Sequence, residues 1–208
     1  MNRIFYLIFI ISSLFISSCN VNTKKTNKSV LIIEDFNLQH YSKNGSKLYM
    51  LETPYSVLNQ TDQSYLLNKT NIKFFDQENV KYNVNSDSAM LLNNKFLELK
   101  GNVKINDFNN NKTIIKSNNL FWDIDKSEFI LEGKVSLVNN IINLSSSKAL
   151  FDKKDDTILF YNPIKYNYID EEGTRKYNIS SENAYYNIST KNVIFKSKDD
   201  KVKSKLIF

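Results

Sequence analysis

From residue 30 onward, apolar and polar positions alternate with a period of two, and no window sustains apolar positions at helical spacing. In the run from Leu97 to Ile105 one face carries Leu97, Leu99, Val103 and Ile105, and the other carries Glu98, Lys100, Asn102 and Lys104. The run from Phe129 to Leu137 repeats this, with Phe129, Leu131, Val135 and Leu137 on one face around Gly133. Val80-Tyr82-Val84, Leu120-Trp122-Ile124 and Val193-Phe195 are shorter cases. β-branched and aromatic side chains dominate the apolar positions, which favours strands over helices. Clusters of Asn, Asp, Lys and Ser punctuate the runs at 93–95, 107–112, 125–127, 139–140 and 152–156, and these are hairpin-turn compositions.

The alternation is organised into a repeat. Ala89-x-Leu91 leads through a turn to Phe96-Leu97-Glu98-Leu99-x-Gly101-x-Val103. Leu120-x-Trp122 leads to Phe129-x-Leu131-x-Gly133-x-Val135, Ala149-x-Phe151 to Ile158-x-Phe160, and Ala184-x-Tyr186 to Val193-x-Phe195. The anchors at 89, 120, 149 and 184 are 31, 29 and 35 residues apart. A weaker first copy runs from Pro54-Tyr55-x-Val57 to Ile72-x-Phe74. A small residue at an anchor, as at Ala89, Ala149 and Ala184, lets a strand bend or pack closely, and Gly101 and Gly133 predict kinks that curl the sheet. The expected fold is all-β: an elongated antiparallel β-jelly roll, or β-roll, of repeated bent hairpins.

The N-terminus changes the picture from a free domain to a membrane-held one. One positive charge at Arg3 precedes a nearly unbroken apolar run from Ile4 to Ile16, short for a bilayer span but suited to a signal-peptide core. The run closes on Ile16-Ser17-Ser18-Cys19, which resembles a bacterial lipobox, and Cys19 is the candidate lipidation site. An uncleaved single-helix anchor is the alternative. Either way the remainder lies outside the cytoplasm. The expected organisation is a lipoprotein signal peptide at 1–18, a lipidated Cys and flexible tether at 19–29, the β domain at 30–198 and a Lys-rich tail at 199–208.

Composition mainly excludes. One Cys and one His, His40, argue against disulfide frameworks, Cys-cluster metal sites and His-based catalysis. The formal charge of +6 rests on 28 Lys+Arg against 22 Asp+Glu, but the lysines are scattered and accompany an equally general Asn excess. A nucleic-acid surface needs clustering, so no such partner is expected. Asp123-x-Asp125 and Asp152 to Asp156 lack the spacing and glycine of a calcium loop and read as turn residues. Asn111-Lys112-Thr113 is one of several chance glycosylation-type triplets in an Asn-rich chain. The expectation is no enzyme, no metal and no cofactor.

The stretch Asp35-Phe36-x-Leu38-x-x-Tyr41-x-x-x-Gly45-x-x-x-Tyr49-x-Leu51-x-x-Pro54-Tyr55 resembles the opening of the lipopolysaccharide-export LptC family. Ser88-Ala89 and Leu97-Glu98-Leu99-x-Gly101-Asn102-Val103 resemble the segment that LptC shares with relatives of the OstA type. The resemblance spans roughly Val30 to Lys198. Two features depart from it: the family is commonly held by a transmembrane helix rather than a lipobox, and the 107–111 loop and Lys-rich C-terminus match no family signature.

The resemblance implies a periplasmic protein, anchored to the inner membrane, whose apolar slot shields the acyl chains of lipopolysaccharide. The ligand would arrive from the permease components of an inner-membrane ABC transporter and pass to a periplasmic bridge protein of the OstA type. The candidate lining begins with Tyr49, Leu51, Tyr55 and Phe74. It continues through Leu91, Leu97, Leu99 and Val103, then Leu120, Trp122, Phe129 and Leu131, and ends at Phe151 and Phe160. Exposed edge strands would dock the partners, the first through Phe36 and Leu38 and the last through Val193 and Phe195, unless the lysines from 196 to 205 blunt that edge. A second reading stays open: a structural or interaction β-repeat lipoprotein with a closed core and no lipid cargo.

Overall fold

The computed structural model describes residues 30–107, 113–139, 142–169, 176–198 and 202–207. The segments read as signal peptide and tether, with Cys19 between them, and most of the 107–112 loop lie outside the described residues. Twelve strands follow one another: β1 (Val30–Tyr41), β2 (Lys47–Asn59), β3 (Ser64–Asp76), β4 (Asn79–Leu92), β5 (Phe96–Asp107), β6 (Ile114–Asp123), β7 (Glu128–Val138), β8 (Ile142–Asp152), β9 (Thr157–Ile169), β10 (Lys176–Asn187), β11 (Val193–Lys196) and β12 (Lys203–Ile207). They form one antiparallel meander in the order β1 to β11, with β12 also paired to β10.

Nearly every strand is too long to stay straight; from β4 to β10 each bends near its middle, where the pairing register shifts, and in β1 to β3 the ladder is interrupted near the middle with its register kept. Odd and even strands bend by different devices. In the first four odd strands the backbone enters the left-handed region: at Asp35 in β1, Lys69 in β3, Gly101-Asn102 in β5 and Gly133-Lys134 in β7. Gly101 has φ 76° and Gly133 has φ 73°, values that carry a steric penalty for any side chain. The kinks expected at these glycines are therefore present.

The even strands bend at a buried or half-buried hydroxyl that donates to the carbonyl two residues on. Thr53 donates to Tyr55 at 3.0 Å, Ser86 to Ser88 at 3.0 Å and Ser117 to Asn119 at 2.9 Å. Ser146 donates to Lys148 and Ser181 to Asn183, both at 2.8 Å. A bend in a sheet frees backbone groups from the ladder, and a buried free carbonyl is costly unless something bonds to it. The hydroxyl supplies that bond from within the same strand.

The bends divide the sheet into two leaves. Leaf I ends in the β2–β3, β4–β5, β6–β7, β8–β9 and β10–β11 connections, and leaf II in the others. Side chains of the two leaves meet across a shared interior, offset by two to four strands: Phe36 of β1 on Tyr65 of β3, Phe74 of β3 on Trp122 of β6, Tyr82 of β4 on Phe151 of β8. The outer face of leaf I is also apolar along one row, where Phe121, Ile130, Leu150, Leu159 and Tyr185 pair in register from β6 to β10.

The C-terminal edge differs from expectation. The segment read as a Lys-rich tail contains β12, and the edge beyond β10 is shared by β11 in leaf I and β12 in leaf II. The cause is the bend of β10 around Glu182, which sends its halves into different leaves. One short strand cannot follow both. The chain crosses at the bend, where Ser197 Oγ accepts from the Glu182 amide and Glu182 accepts from the Lys198 amide at 3.0 Å.

Candidate functional site

The candidate site is the apolar interior between the leaves. Of the proposed lining, Leu51, Phe74, Leu91, Leu97, Leu99, Val103, Leu120, Phe129, Leu131, Phe151 and Phe160 are all at most 2% exposed, and Tyr49 and Trp122 are buried as well. These thirteen belong to one continuous cluster. Tyr55 does not join them. It is 40% exposed on the outside. Strict period-two counting from Tyr49 and Leu51 puts Tyr55 inside, but the bend at Thr53 shifts the phase by one, so Thr53 and Ser56 are the buried positions. The same step of three recurs at Ser86 to Ala89, Ser117 to Leu120, Ser146 to Ala149 and Ser181 to Ala184. The anchors of the sequence repeat are thus the first inward positions after each even-strand bend. The hydroxyl three residues before each anchor, at Ser86, Ser117, Ser146 and Ser181, is the repeating signal in the sequence that marks these bends.

Aromatic rings concentrate at one end of the interior. Trp122 stands edge-on to Tyr49 at 4.8 Å and to Phe74 at 4.9 Å, and stacks on Phe129 at 5.4 Å. Phe129 stacks on Phe151 at 5.4 Å, and Phe151 meets Tyr82 edge-on at 5.5 Å. Such pairs add about 0.5–1.5 kcal/mol each beyond area burial. Burial, with the Asp125 charge second, raises the Tyr49 phenol above its ordinary range. His40, the lone histidine, is exposed and stacks on Tyr49 at 5.1 Å. Among the described residues no three His, Cys, Asp or Glu side chains converge as metal ligands.

Opposite the bends, side chains close the mouth between the leaves. Asp156, in the β8–β9 turn of leaf I, accepts from Lys81 Nζ at 2.7 and 2.9 Å and from the Tyr82 hydroxyl at 2.7 Å, both on β4 of leaf II. Ser189 Oγ adds a third donor at 3.1 Å. Burial alone would raise the Asp156 carboxyl, but the hydrogen bonds from Lys81 and Tyr82 outweigh it and hold Asp156 below the usual carboxylate range. Burial first, and then the bond to Asp156, pushes the Tyr82 phenol far above its ordinary value. Lys153, three residues earlier in the same turn, places its ammonium 4.7 Å above the Phe74 ring. In the sequence, 152–156 has only the composition of a turn. Nothing local marks Lys81 and Asp156 as partners, since 75 residues separate them.

The edge residues are also placed. Phe36 and Leu38 of β1 and Val193 and Phe195 of β11 are half-buried and pack against the core, so each edge offers its backbone and its outward side chains. The start of β1 is apolar on both faces, with Val30, Leu31 and Ile32 at 55%, 48% and 57% exposure. Among the described residues no helix is long and apolar enough to cross a membrane.

A family model described as lipopolysaccharide-assembly, LptC-related, matches residues 4–147. No curated protein matches significantly. Among solved structures, the chain is similar to LptH of Pseudomonas aeruginosa, described as the LptA-homologous periplasmic component of the conserved lipopolysaccharide transport device. That match has 12% identity and a TM-score of 0.46, covering 61% of this chain and 94% of that one.

Proposed function

The chain belongs to the LptC-related family of lipopolysaccharide-assembly proteins, and on that premise we propose that it carries lipopolysaccharide acyl chains between its two leaves. It takes them from the permease side of an inner-membrane ABC transporter and passes them to a bridge protein of the OstA type. The observation that carries this reading is the continuous apolar interior whose mouth is held shut by side chains such as Asp156 and Lys81. Side-chain contacts can part without breaking the sheet. A carrier needs no chemistry beyond this. Each methylene taken from water is worth about 0.8 kcal/mol, so one twelve-carbon chain offers roughly 9 kcal/mol to offset parting the leaves.

Anchoring and docking complete the proposal. Cys19 is lipidated and holds the chain at the inner membrane, with residues 20–29 as its tether. The unpaired edge of β1 pairs with a strand on the transporter side, and the β11–β12 edge pairs with the bridge. The exposed Val30, Leu31 and Ile32 support the first contact, because a long apolar edge left open is an aggregation hazard that a partner strand removes.

The near-zero exposure of the interior favours the second reading, a closed core without cargo. Photo-crosslinking separates the two. A photoreactive residue at Leu99 or Trp122 should capture lipopolysaccharide in cells, whereas one at the exterior position Tyr55 should not. Failure at every interior position overturns the carrier reading.

A further inference from the structure

The polar knot at the mouth contains a half-buried cation, Lys153, that no carboxylate among the described residues contacts as an ion pair, although its neighbour Lys81 is fully engaged by Asp156. The Lys153 ammonium rests on the face of Phe74, and Phe74 touches Trp122 at 4.9 Å and Phe129 at 5.4 Å. A half-buried cation therefore sits on the rim of the aromatic end of the slot. Burial, with the Lys81 charge second, lowers its proton affinity against the opposing pull of Asp76 and Asp156. A fold that served packing alone would do better with an apolar side chain at this place, since a half-buried charge without a contacting counter-ion is costly.

We propose that Lys153 and Lys81 together form a headgroup site for a phosphate-bearing amphiphile whose chains enter between the leaves. This rests on the carrier reading and gives it a polarity: chains inward, phosphate at the β4/β8–β9 rim. Three features fit such a ligand. Two ammoniums converge on one rim, which suits the charge and several acceptor oxygens of a phosphate. The aromatic floor beneath them accepts the first carbons of a chain. Asp156, which now occupies Lys81 through both of its oxygens, stands in for the phosphate when no ligand is present, and its displacement couples headgroup arrival to opening of the mouth.

Fluorescence of Trp122, the single tryptophan of the chain, reads the test directly, because Trp122 contacts Phe74 beneath Lys153. The full chain is titrated with decyl phosphate and with 1-decanol, which share a chain and differ in headgroup. The wild type should bind decyl phosphate about tenfold more tightly than decanol, the scale of one or two charge-assisted contacts. Lys153→Met should bring the two affinities within about twofold by lowering that for decyl phosphate, with decanol binding retained. Asp156→Asn should raise the preference for phosphate, because the competing carboxylate charge is gone. Equal wild-type affinities, or a preference that survives Lys153→Met, overturn the headgroup site and leave the carrier reading standing. No response of Trp122 to either probe overturns both.

Discussion

Replacing Gly101 by Ala tests the idea that the sheet is folded by its odd-strand bends. Gly101 sits at φ 76°, and a Cβ built there falls 2.5 Å from Asp87 Oδ2 on the neighbouring strand β4. That oxygen also accepts a hydrogen bond from Asn102 Nδ2 at 2.8 Å. Two costs follow. The left-handed backbone costs an L-residue about 1–2 kcal/mol. Expelling the Asp87 carboxylate forfeits its bond to Asn102, a further loss of about 0.5–1.5 kcal/mol. Together they amount to roughly 1.5–3.5 kcal/mol, or about 3–14 °C in melting temperature for a domain of this size. Gly45 supplies the control: its φ is 82°, yet nothing lies within 4 Å of its added Cβ, so Gly45→Ala should show the backbone cost alone. Circular-dichroism melts of the two variants should differ by about 2–5 °C. Asp87→Ala in the Gly101→Ala background should recover most of that difference. Equal destabilisation at Gly45 and Gly101, with no coupling to Asp87, would refute close packing of strands at the bend.

Two further outcomes follow from the same structure. Leu99→Ala should cost about 2–5 kcal/mol in urea unfolding, as large-to-small changes do in a closed core, whereas Tyr55→Ser should stay within about 0.5 kcal/mol because Tyr55 lies outside the interior; comparable losses at both would place Tyr55 inside after all. Asp156 is an acid whose folded pKa lies below its unfolded value, so its contribution is complete above the unfolded carboxylate range and is lost as pH falls through the folded pKa. The stability gap between wild type and Asp156→Asn should therefore shrink on acidification in a series of urea midpoints, and a gap independent of pH would show that the knot is not held by the carboxylate's charge.

Much of the fold was legible because its rules are local. Alternation in 97–105 and 129–137 fixed both strand and inward face, since period two has only one way to bury an apolar set. The kink at Gly101 was legible for the same reason: an isolated glycine in a strand marks a place where the backbone does something a side chain would resist. Tyr55 falls outside because the even-strand bends shift the phase by one, whereas the bends at Gly101 and Gly133 preserve it. The signal of that shift is the Thr or Ser three residues before each anchor. Apolar doublets such as Phe121-Trp122 and Leu150-Phe151 were ambiguous in a different way. Both members are apolar because leaf I carries an apolar row on its outer face, and the sequence alone does not rank the two faces.

By itself, then, the amino-acid order determined the strands, the turns, the bending repeat and the family, because each depends on neighbours a few residues apart or on a linear motif. The tertiary structure decided which strands face which across the slot, how the mouth is shut and where the last edge lies. Those depend on the cumulative twist and bend of a twelve-stranded sheet. A small rotation at each strand adds up to the two-to-four-strand offset that sets Phe74 against Trp122. The same accumulation brings Lys81 to Asp156 across 75 residues, a pairing that no local pattern encodes.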